Sequence, residues 1–134
     1  MYLVDTSVWI DFIQGKPGPA VDPLRSLVQS GQAVGICAVI YQEILQGAES
    51  EQRFAAFRDF FNDVQFYHPK HLTQSYAQAA YLFFSCRRQD LTIRSTIDCL
   101  IAQIAIEHDL ILLHSDKDFT RMATVIPQLK LYPA

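Results

Sequence analysis

The chain has 134 residues, of which 50% are hydrophobic and 19% charged, with a net charge of −3. That length suits one domain, residues 1–134, with a sizeable core, and the composition argues against a disordered chain and excludes the strongly basic footprint of many nucleic-acid binders. It does not exclude a nuclease, because bound divalent cations offset a local acidic cluster.

Strand-length apolar runs are predicted at Tyr2 to Val4, Val34 to Cys37, Val64 to Tyr67, Leu110 to Leu113 and Leu129 to Tyr132, with helix-like patterns between them. Strands alternating with helices imply crossover connections, hence an α/β fold with a mainly parallel sheet covered on both faces. "QGKPGPAVDP", rich in proline and glycine, reads as the loop after a short first helix. Two later helices stand out by aromatic residues at helical spacing: Phe54, Phe57, Phe60 and Phe61 in one, and Leu72, Tyr76, Ala79, Ala80, Phe83 and Phe84 in the other. Such stripes belong to a core or to a homodimer or partner interface. Cys37, Cys86 and Cys99 sit in apolar contexts and are odd in number, which predicts reduced, buried thiols. No apolar run reaches the roughly 18 residues of a membrane span and the start lacks a secretory pattern, so the expectation is a cytoplasmic protein without a membrane partner.

Four acidic sites interrupt apolar elements or close them: Asp5 after the first strand, Glu43 in "AVIYQEILQGA", Asp98 in "STIDCLIAQIAIEHD", and Asp116 with Asp118 in "SDKDF". On a helical wheel Asp98 falls at the border of the stripe made by Ile97, Leu100, Ile101, Ile104 and Ala105, so it is expected to be partly desolvated. Glu43 is similar. Desolvating a carboxylate is costly unless a cation or donors compensate, and the one evident local partner is Arg94, four residues before Asp98 and on the same helical side if the helix begins early enough. In an open parallel sheet the functional crevice lies at the carboxyl ends of the strands. Carboxylates converging there repel one another, a conflict that one or two Mg²⁺ or Mn²⁺ ions on oxygen ligands resolve, and the chemistry that suits is phosphodiester hydrolysis. Taken singly the acids have plainer readings: Asp5 and Asp116 as helix caps, Glu43 as an interface ion-pair partner, Asp98 as a helix-dipole partner. A cap from Thr6 or Ser7 would free Asp5 for a cation. His68 and His71 in "HPKH" flank a proline with no cysteine beside them and read as structural or solvent-exposed.

"YLVDTSVWIDF", "YQEILQGA" and "TIDCLIAQIAIEHDLILLHSDKDF", in that order and at this length, resemble the PIN-domain ribonucleases of the VapC toxin type. The resemblance implies a three-layer α/β/α sandwich with about five strands, usually dimeric. It also implies an acidic Mg²⁺ or Mn²⁺ site that cleaves RNA, often tRNA or ribosomal RNA. It assigns Asp5, Glu43, Asp98 and Asp116 as catalytic acids and metal ligands. Asp118 assists Asp116 or caps, and Thr6, Ser7 and Ser115 orient ligands or water through their hydroxyls. It further implies a small VapB-type antitoxin whose amphipathic segment lies along the toxin's helices, with an Arg in the acidic site. Arg94, Lys117 and Arg121, nearest in sequence to the acids, are candidate contacts to RNA phosphate, and Arg87 and Arg88 a candidate rim patch.

Two other readings share parts of this pattern. A receiver-like phospho-acceptor domain is also a small parallel α/β domain with an acidic pocket, but it needs an Asp after the third strand and a Lys after the fifth, where this chain has "HPKH" and Pro133-Ala134. A non-catalytic PIN-like RNA-binding scaffold would be marked by loss of an acid, and all four are present.

Overall fold

The computed structural model describes residues 1–133. Five strands, β1 (Tyr2–Val4), β2 (Val34–Cys37), β3 (Gln65–Tyr67), β4 (Ile111–Leu113) and β5 (Lys130–Tyr132), form one sheet. Between them run α1 (Thr6–Ile13), α2 (Val21–Gln29), α3 (Ala38–Gln46), α4 (Glu51–Phe60), α5 (Leu72–Arg88), α6 (Thr96–Glu107) and α7 (Lys117–Ala123), with a 3₁₀ turn at Phe61–Asp63. Every strand pairing is parallel, in the order β3-β2-β1-β4-β5. The order reverses at β1, whose neighbours β2 and β4 lie on opposite sides of it, and a ligand crevice belongs at such a switch point. The order also differs from the 2-1-3-4-5 of flavodoxin-like sheets, the architecture of receiver domains, which argues against a phospho-acceptor domain.

Successive strand residues face opposite sides of a sheet. Leu3 and Val4, Ile36 and Cys37, and Leu112 and Leu113 are all fully buried, so helices cover both faces, as the three-layer expectation requires. Three of the five strands begin one residue later than the apolar runs suggest, because Val64, Leu110 and Leu129 belong to the turns that enter them. The proline-rich loop is also shorter than its composition implies. Helix α2 begins at Val21 and takes Pro23 into its first turn, where a missing N–H leaves no bond unmade. Gly35 is required by close approach: a Cβ there would collide with the Tyr67 ring and the Gln65 carbonyl on β3.

The aromatic stripes divide. Phe61 is buried, and it packs edge-on against Trp9 with ring centroids 5.1 Å apart. Phe54, Phe60, Leu72, Tyr76 and Phe84 are exposed, and α4 buries none of its residues. Most of α4's apolar side thus belongs to the surface. The start of α5 is held by a residue that sequence reasoning passed over: Glu107, at the end of α6, accepts hydrogen bonds from Ser75 Oγ (2.8 Å) and from the Lys70 amide (3.1 Å). His68 and His71 lie in this lock, away from the acidic residues; His68 offers its carbonyl to His108 Nε2 at 2.7 Å. All three cysteines are free and buried, and burial pushes the Cys37 thiol up to about 11 and the Cys99 thiol up to about 12.

Candidate active site

At the switch point the chain turns from strand to helix with a single residue to spare. Asp5 lies between β1 and α1, and its amide donates to the Leu113 carbonyl at 2.9 Å, so the ends of β1 and β4 are fixed side by side. Asp5 occupies the N-cap position of α1 with extended backbone, yet its carboxylate makes no capping bond. The hydroxyls do not cap either, contrary to the expectation for Thr6 or Ser7. Thr6 Oγ1 donates to Glu43 Oε1 at 2.9 Å, and Ser7 Oγ and Ser115 Oγ share a hydrogen bond of 3.0 Å. These two bonds tie α1 to α3 and to the segment after β4, orienting Glu43 in the process.

Asp5 is only 8% exposed. Burial pushes its pKa up to about 6 against the lowering effect of a hydrogen bond from the Thr6 amide, and the charges of Glu43 and Asp116 add to the rise. Asp98 lies in the first turn of α6. Its pKa is pushed up to about 7, first by burial and then by repulsion from Asp5, Asp116, Asp118 and Glu43. Carboxylates that raise one another's pKa share one field, so the structure gathers Asp5, Glu43, Asp98 and Asp116 around a common crevice.

The last motif separates its two acids. Asp116 caps α7 by accepting from the Asp118 amide at 2.9 Å, and its side chain is 33% exposed toward the crevice. Asp118 is 2% exposed and faces inward onto arginines: Arg94 Nε lies 3.1 Å and the Arg94 amide 3.3 Å from Oδ2, and Arg121 Nη1 lies 3.2 Å from Oδ1. Burial opposes ionisation of Asp118, but the arginine hydrogen bonds and charges outweigh it and hold its pKa below the usual carboxylate value. The expectation that Arg94 compensates Asp98 is corrected here. Helix α6 begins only at Thr96, so Arg94 precedes it and cannot take the i, i+4 position. Lys117 is exposed, as are Arg94 and Arg121 in part.

His114 is a site residue that the sequence did not single out. It is buried between β4 and Asp116. The Asp116 amide donates to His114 Nδ1 at 3.1 Å. An amide can only donate, so Nδ1 is the bare nitrogen and Nε2 carries the proton, which it donates to the Pro133 carbonyl at 3.2 Å. Burial keeps the ring below its ordinary pKa and therefore neutral. A histidine at the end of an apolar strand, two residues before an acid, was the available signal.

Among the described residues, no three His, Cys, Asp or Glu side chains are already drawn together as a preformed metal cluster. The donor set is nevertheless of one chemical kind, carboxylate and hydroxyl oxygens, which suits Mg²⁺ or Mn²⁺ rather than softer ions. Asp5 and Asp98 also lack any hydrogen-bonded cationic side chain, while Asp118 has two.

Residues 2–125 match the family described as the PIN domain. Over 126 residues the chain is 30% identical to the VapC ribonuclease Mb1587 of Mycobacterium bovis and to ribonuclease VapC11 of Mycobacterium tuberculosis, with 93% of each sequence covered. The chain therefore belongs to the PIN-domain family, on its VapC ribonuclease branch. Among solved structures it is similar in fold to VapBC2 from Rickettsia felis bound to a promoter DNA fragment, with a TM-score of 0.75 at 20% identity, covering 97% of this chain and 96% of the other. VapBC-1 from nontypeable Haemophilus influenzae gives 0.72 at 19% identity over 97% and 95%, and FitAcB from Neisseria gonorrhoeae 0.69 at 17% over 98% and 96%.

Proposed function

We propose that this chain is a Mg²⁺- or Mn²⁺-dependent endoribonuclease acting as the toxin of a VapBC-type pair. The observation that carries the reading is the uncompensated pair Asp5 and Asp98, each pushed far above the usual carboxylate pKa at the switch point of a parallel sheet. Holding a buried acid, Asp5, and a half-buried one, Asp98, beside two more without a hydrogen-bonded counter-charge costs stability, and a bound cation would remove that cost. Asp5, Asp98, Asp116 and Glu43 would hold the ion, which would supply a more acidic water as nucleophile and offset charge on the leaving oxygen. The chain's own contribution is positional: Thr6 orients Glu43, His114 and the α7 cap fix Asp116, and the β1–β4 pairing sets Asp5 in place.

The partner follows the same reasoning. An acidic crevice calls for a basic residue, and the exposed Phe60 and Val28 flank an apolar groove lined also by Trp9, Phe12 and Val34. The groove opens at the amino ends of β2 and β3, so an amphipathic antitoxin segment that covers it would have to run on along α1 to place an Arg among the acids at the carboxyl edge; the VapBC complexes of similar fold support this choice of partner. Exposed Tyr76 and Phe84 on α5 favour a homodimer, tRNA or ribosomal RNA is the expected substrate, and the buried free thiols accord with a reducing cytoplasm. No helix among the described residues is long and apolar enough to cross a membrane. The deciding experiment incubates total RNA with the protein in Mg²⁺, in Mn²⁺ and in EDTA, followed by sequencing of fragment ends. Discrete cuts that EDTA and Asp98→Asn both abolish are the expected result; cutting that survives either one refutes the reading.

A further inference from the structure

We propose that Asp118 is a positioning residue that aims the Arg94 guanidinium at a phosphate of the RNA entering the crevice, and is not itself a cation ligand. The inference rests on the ribonuclease reading above for the nature of the ligand. It starts from the unequal surroundings of two acids two residues apart. Both oxygens of Asp118 already face N–H donors, from Arg94 on one and Arg121 on the other. A divalent cation on those oxygens would stand beside two guanidinium charges, which opposes its binding. Asp116 accepts one amide hydrogen bond, is partly open to solvent, and has no guanidinium closer than 3.7 Å.

Arg94 has the complementary character. Its side chain is 76% exposed, yet it is held at two points, the backbone amide and Nε, both on the same oxygen of Asp118. A free surface arginine carries rotamer entropy that any contact must overcome, and anchoring Nε removes much of that cost before a ligand arrives. With Nε committed, the two terminal amino groups remain, and Nη2 already points to the crevice, 3.7 Å from Asp116 Oδ1. A guanidinium fixed at the rim in this way is suited to a phosphate oxygen. The need is electrostatic as well. RNA approaching a group of carboxylates is repelled, and a fixed cation at their edge sets where the backbone can settle. The amide bond from Arg94 also lets the same carboxylate order the loop that leads into α6 and thus to Asp98.

The test measures binding of a short fluorescent RNA in EDTA, by anisotropy across a range of salt, with no cleavage involved. Arg94→Ala is expected to weaken binding about 10-fold and to flatten the dependence of log affinity on log salt by about 0.7, the loss of one phosphate contact to a single strand. Arg94→Lys, which keeps the charge but has no Nε to anchor, is expected to lose most of that affinity too; affinity equal to the parent would overturn the proposal. Asp118→Asn separates the rival readings by sign. If Asp118 were one more acid of the crevice, removing its charge would lessen repulsion and tighten binding in EDTA, and that outcome also overturns the proposal. Positioning predicts about 5-fold weaker binding, and a double variant no weaker than Arg94→Ala alone. Should Asp118→Asn fail to fold, Arg94→Lys decides with Asp118 intact. A parent that binds RNA in EDTA but never cuts it in Mg²⁺ or Mn²⁺ refutes the nuclease reading alone, whereas a parent that does not bind RNA overturns the present proposal.

Discussion

The two flanks of the crevice treat the same residue type in opposite ways. On the α7 flank, Asp118 is almost fully buried, yet two arginines and an amide keep it ionised. On the β1 and α6 flank, Asp5 and Asp98 have no hydrogen-bonded cation; burial and neighbouring carboxylates act on both, and both resist ionisation. The lesson is that burial alone does not mark a reactive carboxylate; burial without an assigned counter-charge does. The satisfied flank orders its own groups, Arg94 among them, and the unsatisfied flank is where a cation has free energy to contribute.

The largest effect should come from removing the unsatisfied flank. Asp98→Asn and Asp5→Ala are each expected to lower RNA cleavage by about 10³-fold or more while circular dichroism shows an unchanged fold. Cleavage within a few-fold of the parent would show that the crevice chemistry lies elsewhere. The satisfied flank can be probed through His114. Asn at this position keeps an acceptor where Nδ1 stood, and Gln keeps a donor where Nε2 stood. His114→Gln is therefore expected to lose about 10-fold in cleavage by releasing Asp116, with His114→Asn nearer the parent; equal losses in the two variants would reduce His114 to packing.

The contrast between flanks also has a thermodynamic signature. Acids with raised pKa bind more protons folded than unfolded, so the cation-free protein should lose stability as pH rises from about 4 through about 7. Asp118, with its lowered pKa, acts in the other sense: its contribution is complete above the ordinary carboxylate pKa and is lost in acid. At pH 8 in EDTA, Asp98→Asn should consequently be more stable than the parent by on the order of 1 kcal/mol, allowing for solvent screening of a partly exposed group. A lower melting temperature for the variant would contradict the strained-acid picture. The smallest effect is expected from Thr6→Val, which frees Glu43 from its hydroxyl partner and should cost about 3-fold in cleavage, read as a change in rate at saturating RNA.

Much of this was legible in the chain. Apolar runs of three or four residues, separated by helical periods, located all five strands, and the positions of Asp5, Glu43, Asp98 and Asp116 at strand ends and helix borders pointed to one edge. What stayed hidden depended on where helices begin and on contacts far apart in sequence. The pairing of Arg94 with Asp118 follows from α6 starting at Thr96, a boundary set by Ser95, whose hydroxyl caps the helix by accepting from the Ile97 amide. The inward turn of Asp118 could not be read from periodicity, because α7 has only seven residues and no established stripe. The capping expectation for Thr6 and Ser7 failed because a hydroxyl at a helix start usually caps it, whereas here each reaches another element.

The register of β1 carries one more consequence. Tyr2 and Leu3 pair with Ile111 and Leu112, so the sheet's centre joins residues far apart in the chain. Such non-local pairing forms late in folding, and Asp5 receives its hydrogen-bonded neighbour Leu113 only when β4 has been synthesised. A chain that has not yet docked β4 beside β1 therefore carries Asp5 without the rest of its crevice, and the site comes into being only with the fold.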